Sequence, residues 1–113
     1  MNAQEIFDKV MGHLRKQGER SINNNDACLY RGPGSLQCAI GCLIPDELYS
    51  SQMERLSLSI VHGILSRAGI FEKSAFPLLR DLLTLHDHYY PRKGWIGKGH
   101  QSGRDHGLAV TGR

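Results

Sequence analysis

The stretch CLYRGPGSLQCAIGCLIPDELY, residues 28–49, decides how the fold is read. Two short apolar runs, Cys28-Leu29-Tyr30 and residues 36–44, flank Arg31-Gly32-Pro33-Gly34-Ser35, whose glycines and proline are turn residues. This arrangement predicts a small β-hairpin. The second run, Cys38-Ala39-Ile40-Gly41-Cys42-Leu43-Ile44, is apolar on every side, so a buried helical turn ended by Pro45 competes with the strand, and periodicity does not choose between them.

Helical signals surround this stretch. Asn2 followed by Glu5 reads as a capping-box variant, and Ile6, Phe7, Val10, Met11 and Leu14 then line one face of a helix that stops near Gly18. Residues 21–26, with Asn23, Asn24 and Asn25 in succession, read as a loop because asparagine favours local side-chain to backbone bonds. Ser51 and Glu54 form a second capping box ahead of a stripe of Met53, Leu56, Ile60, Val61, Ile64 and Leu65 that runs to Gly69. A third helix begins near Ser74, accommodates Pro77 in its first turn, carries Phe76, Leu79, Leu82, Leu83 and His86, and ends at Asp87 or His88.

Beyond Pro91, six of the remaining 22 residues are glycine, each costing about 1 kcal/mol relative to alanine inside a helix. The tail is therefore expected to be non-helical, held loosely or ordered by a partner, with Trp95, Ile96 and Leu108 able to pin it. The expected architecture is α+β and mostly α: three main helices, a small β-hairpin and a glycine-rich basic tail. It forms one domain, 1–113, with a compact body over 1–91 and the tail over 92–113.

The size, 113 residues, fits one core and not two. With 40% hydrophobic and 22% charged residues the composition is that of a globular chain, neither disordered nor membrane-spanning. No apolar run approaches a membrane span, and MNAQEIFDKV lacks the order of a secretory signal, so a cytoplasmic location is expected. Three cysteines, an odd number, argue against a secreted disulfide framework and favour reduced thiols. The net charge of +3 comes from the tail, where Arg92, Lys93, Lys98, Arg104 and Arg113 face one acid, Asp105. A mild excess of this kind permits an acidic partner without requiring one.

Two groups of residues are metal candidates. Cys28, Cys38 and Cys42, with His86 or His88 as the fourth ligand, offer thiolate and imidazole donors of the kind zinc favours. They lack a Cys-x-x-Cys knuckle and lie among Ala, Ile and Leu, as core thiols do, so no cofactor is expected and zinc or another divalent ion is the alternative. His86-Asp87-His88, with His62 before it and Asp105 after it, follows an order that resembles the HD-domain metal phosphohydrolases, in which such residues hold a metal that activates water. The competing reading is a helix end where His86 and His88 complement the dipole.

For binding, Tyr30 and Arg31 beside the turn combine a stacking ring with a phosphate fork, and Tyr89, Tyr90, Arg92, Lys93, Trp95 and Lys98 interleave aromatics with cations. Gly32-Pro33-Gly34-Ser35 has no P-loop lysine, and neither a nucleophile elbow nor a carboxylate pair in an apolar pocket is evident. The expected partners are a host protein or protein–nucleic-acid complex, with a nucleotide ligand or an oligomer possible and no membrane.

Residues 28–49 together with LLTLHD (82–87), Trp95 and His106-Gly107-Leu108 resemble a family of small uncharacterised proteins encoded by tailed bacteriophages and prophages. The resemblance implies a viral accessory protein made in the bacterial cytoplasm, with no activity to carry over. Such proteins often block host machinery by binding. The expectation is an inhibitor of a host factor, of anti-defence (anti-CRISPR-like) character, and not an enzyme. The alternatives are an HD-type phosphohydrolase or nuclease, and a sponge that sequesters a nucleotide messenger.

Overall fold

A computed structural model describes residues 1–23, 28–88 and 93–110, with the side chains of His88, Lys93 and Ile96 outside the description. The chain forms α1 (Ala3–Gln17), α2 (Leu58–Arg67), α3 (Phe76–His88) and α4 (Lys93–Asp105), with short 3-10 turns at Pro33–Ser35, Gly41–Leu43, Ser51–Arg55 and Lys73–Ala75.

The first helix forms as its sequence dictates. Asn2 accepts from the Glu5 N–H at 2.8 Å, and Glu5 Oε1 accepts from the Asn2 N–H at 2.9 Å, so two N-terminal donors are satisfied reciprocally. At the other end Gly18 adopts φ 69°, a left-handed conformation that glycine reaches without steric cost, and its N–H closes on the Leu14 carbonyl. The buried face is Ile6, Phe7, Val10, Met11 and Leu14.

The expected β-hairpin does not form. Among the described residues the only pairings of strand type are two isolated antiparallel bridges, Ile22 with Cys28 and Arg31 with Gln37, and no sheet is present. The α+β expectation is thus corrected to an all-helical fold. The physical reason lies at Gly41, where a Cβ would collide with the Tyr30 backbone. The second run approaches the first so closely that it coils into a 3-10 turn, with the Leu43 N–H on the Ile40 carbonyl at 2.9 Å, instead of continuing a ladder. Side chains of α1 hold the turn: Gln17 bonds both the N–H and the carbonyl of Gln37, and His13 Nε2 meets that same carbonyl.

A second correction concerns residues 51–57. Glu54 does not cap a helix. Its carboxylate accepts from the N–H of Tyr30 at 2.8 Å, the N–H of Arg31 at 3.0 Å and the Tyr49 hydroxyl at 2.6 Å, while Ser57 caps α2 through the Ile60 N–H.

The third correction is the tail, which contains a fourth helix packed on α1 and α3. Gly99 and Gly103, one turn apart, face Met11 and Phe7 so closely that a side chain would collide with both. Glycine here lets two helices approach. Four glycines in Lys93–Asp105 cost up to about 4 kcal/mol in propensity, and burying the Trp95 side chain, 1% exposed, returns roughly 4–6 kcal/mol. Packing outweighs propensity. Past the helix, Gln4 bonds both the N–H and the carbonyl of Ala109, so α1 also holds residues 108–110. Among the described residues no helix is long and apolar enough to cross a membrane.

Candidate metal centre

The residues singled out in the sequence divide sharply between those the fold gathers and those it scatters. Cys28, His86 and Asp87 each offer a donor atom, and these atoms lie within 4.8 Å of one another. Residues 28–30 are held against residues 21–22 by the Leu29 N–H on the Ser21 carbonyl and by the Ser21 hydroxyl on the Leu29 carbonyl. His86 and Asp87 come from the last turn of α3.

His86 is fully buried and both its ring nitrogens are engaged. The backbone N–H of Ser21 donates to Nε2 at 2.9 Å, and Nδ1 meets Asp87 Oδ1 at 2.5 Å. A backbone N–H can only donate, so Nε2 carries the lone pair and Nδ1 carries the proton given to Asp87. The tautomer is therefore fixed by the partners. Trp95 stacks on the ring, centroids 5.7 Å apart and planes 18° from parallel. Arg20 reaches the Asp87 carbonyl at 3.2 Å, a cation at the negative end of α3.

Of the three cysteines, Cys28 alone belongs to this group. Cys38 lies near enough to Cys28 to be the first influence on its thiol. Cys38 is fully buried and its sulfur accepts the Gly41 N–H at 3.3 Å. Cys42 turns away and donates its S–H to the Ala39 carbonyl. Cys38, followed by burial and the proximity of Asp87 and Glu54, raises the Cys28 thiol well above its usual range. Burial pushes Cys42 up to about 12, with the neighbouring Cys38 adding to it. All three are free thiols, and the raised Cys28 and Cys42 are not activated nucleophiles.

The other metal candidates do not join. His62 stacks on Phe71 at 5.5 Å, meets the edge of Phe76 at 5.2 Å and lies beside Ser66, within an aromatic pocket of its own. Asp105 accepts from Gln101 on the α4 surface. The order His62, His86-Asp87, Asp105 thus does not describe one constellation among the described residues.

The binding candidates are likewise dispersed. Tyr30 is buried, and its hydroxyl donates to the Leu56 carbonyl. Arg31 bonds the Ile44 carbonyl at 3.0 Å and Asp46 at 2.7 Å, and its guanidinium lies 4.4 Å over the Tyr49 ring. Trp95 belongs to the core. Lys98 is exposed on α4, while Tyr89, Tyr90 and Arg92, with the side chain of Lys93, lie outside the described residues. Two residues that position the cluster escaped the sequence reading. Ser21 acts through its backbone, which leaves no signature in residue type, and Glu54 was absorbed into an apparent capping box.

Comparison with protein families, curated proteins and solved structures returns no match, so the geometry stands alone.

Proposed function

We propose that this chain is a binding protein, a phage-encoded accessory protein that blocks a host factor in the bacterial cytoplasm, with an anti-defence role. The observation that supports binding is on α2. Ile60 is 52% exposed there, with half-buried Ile64 and exposed Arg67 following it along one face, while Val61, His62 and Leu65 point inward. Ile60 lies outside the buried core, and on one face with Arg67 it suits a partner surface that is apolar with an acidic rim. The groups able to do chemistry are turned inward on one another, which fits occlusion better than turnover.

The test is co-purification from a bacterial lysate under gentle conditions, comparing the native chain with Ile60→Asp. The reading expects a stoichiometric host protein on the native chain and none on the folded variant. Equal recovery with both chains removes α2 from the contact, and a bare native chain from every defence-bearing host tested removes the reading.

A further inference from the structure

The cleft between the end of α1 and the turn at residues 33–36 goes beyond that reading. We propose that it is a binding site for a sugar phosphate, with the Lys16 ammonium and the Ser35 hydroxyl as the groups that take the phosphate.

The cleft is built in advance of any ligand. It is open, has a volume of about 510 Å³ and is lined by His13, Lys16, Gln17, Gly34, Ser35 and Leu36, a size within the roughly 300–1,000 Å³ of small-molecule sites. Its two walls are pinned to one another. Gln17 Oε1 accepts the Gln37 N–H, and both Gln17 Nε2 and His13 Nε2 meet the Gln37 carbonyl, each at 2.9 Å. Within the turn, the Gly32 N–H donates to the Leu36 carbonyl at 2.7 Å and the Leu36 N–H to the Pro33 carbonyl at 3.3 Å. A ligand entering here therefore has little ordering cost to meet. His13 Nε2 and the Gln17 amide are spent on holding the turn, so contact with a ligand falls to Lys16 and Ser35.

Ser35 carries the inference furthest. Among the described residues it is the one residue other than glycine with a positive φ, at 70°. A left-handed backbone strains a serine, whereas a glycine at 35 would hold the same turn freely. The exposed hydroxyl makes no hydrogen bond among the described residues, so nothing within the fold offsets the strain. Strain kept in a pinned turn for the sake of an unused hydroxyl is accounted for by a ligand that uses it.

The charge of the cleft selects the ligand. Lys16 is exposed, makes no ion pair among the described residues, and no acid lines the cleft with it. Elsewhere the clefts are mixed: Asp81 and Asp105 line the one between α3 and α4, and Asp8 faces Arg15 in the one between α1 and α4. An ammonium and a hydroxyl donor suit phosphate oxygens. Phosphate fills only part of the volume, and Leu36 with the aliphatic stem of Lys16 offers a wall for the group that carries it. No aromatic ring lines the cleft, so a nucleobase finds nothing to stack on and a sugar is the carried group that fits.

The experiment is calorimetric titration of the whole chain with glucose 6-phosphate, and in parallel with glucose, gluconate, inorganic phosphate and AMP. The proposal expects one glucose 6-phosphate per chain and weaker binding of the other four. Lys16→Gln weakens binding roughly tenfold or more, and Ser35→Gly, which keeps the turn, weakens it roughly threefold to tenfold. Arg80→Gln removes the same charge outside the cleft and leaves binding unchanged. No heat with glucose 6-phosphate overturns the proposal without reference to any variant. So does binding of any of the other four as tightly as the sugar phosphate, full binding by Lys16→Gln or Ser35→Gly, or an equal loss with Arg80→Gln. Failure here leaves the α2 binding surface untouched, since Ile60 does not line the cleft.

Discussion

The backbone N–H of Ser21 donates to Nε2 of His86 at 2.9 Å across 65 residues of sequence. This bond joins the segment that follows α1 to the last turn of α3, and Trp95 closes over the same ring. Three parts of the chain are thereby tied at one imidazole.

His86→Leu therefore removes a buried acceptor while preserving volume. The orphaned Ser21 N–H costs about 1–3 kcal/mol, read as a lower urea midpoint at unchanged slope. An unchanged midpoint would mean that the bond contributes nothing to the folded state.

The α4 glycines give opposite predictions within one helix. At Gly103 a Cβ would lie 2.6 Å from Phe7 Cζ and 2.8 Å from Val110 Cγ2, so Gly103→Ala destabilises by about 1–3 kcal/mol through overpacking. Gly97 has open space around its Cβ position, so Gly97→Ala stabilises by about 0.5–1 kcal/mol through helix propensity. Thermal unfolding of the two variants checks the pair. A stabilising Gly103→Ala would contradict the packing of α4 on α1.

Glu54 receives two backbone donors and a phenol, whereas Ser51 is the first residue of its 3-10 turn and not its cap, a place Ser50 takes without a side-chain bond. Glu54→Ala should cost about 2–4 kcal/mol, since the Tyr30 and Arg31 N–H groups lose a charged acceptor, and Ser51→Ala should stay within about 0.5 kcal/mol. Were Glu54 the capping-box partner of Ser51, the two substitutions would cost similar amounts.

Alkali should weaken the fold through Cys42. Burial first, then Cys38, moves this thiol from 9.0 up to about 12, so the folded state keeps the proton that the unfolded state loses. The stabilisation is complete below pH 9.0 and is lost as the pH rises towards 12. Tyr30 and Cys28, also raised, act with the same sign. Urea midpoints should fall from about pH 8 to about pH 10.5, and Cys42→Ser should shrink the fall. A midpoint that rises over this interval would reverse the sign.

The sequence made α1 legible to the residue, because Asn2, Glu5 and Gly18 act through local geometry that spacing reveals. It marked α3 for the same reason, and its apolar stripe for α2 ran through residues that belong to a 3-10 turn. What it hid depends on non-local approach. Gly41 against Tyr30 turns an apparent hairpin into a coil, and Gly99 and Gly103 against Met11 and Phe7 turn an apparent linker into a helix. Propensity counts glycine as a cost in both places and does not register the neighbour that requires it. Among the candidate site residues, Cys28, His86 and Asp87 meet, while Tyr30, Arg31 and Trp95 serve the fold. Residue type alone did not separate these two groups, because aromatic and arginine side chains suit a core and a surface equally well.

The central claim, that the chain blocks a host factor, is tested most directly by phage plating on bacteria that carry one active defence system each, with and without the chain. The account predicts that the native chain restores plating on at least one such host, that Ile60→Asp, folded and equally abundant, does not, and that Gly97→Ala does. Plating that stays low on every host, or that Ile60→Asp restores as well as the native chain, would contradict it.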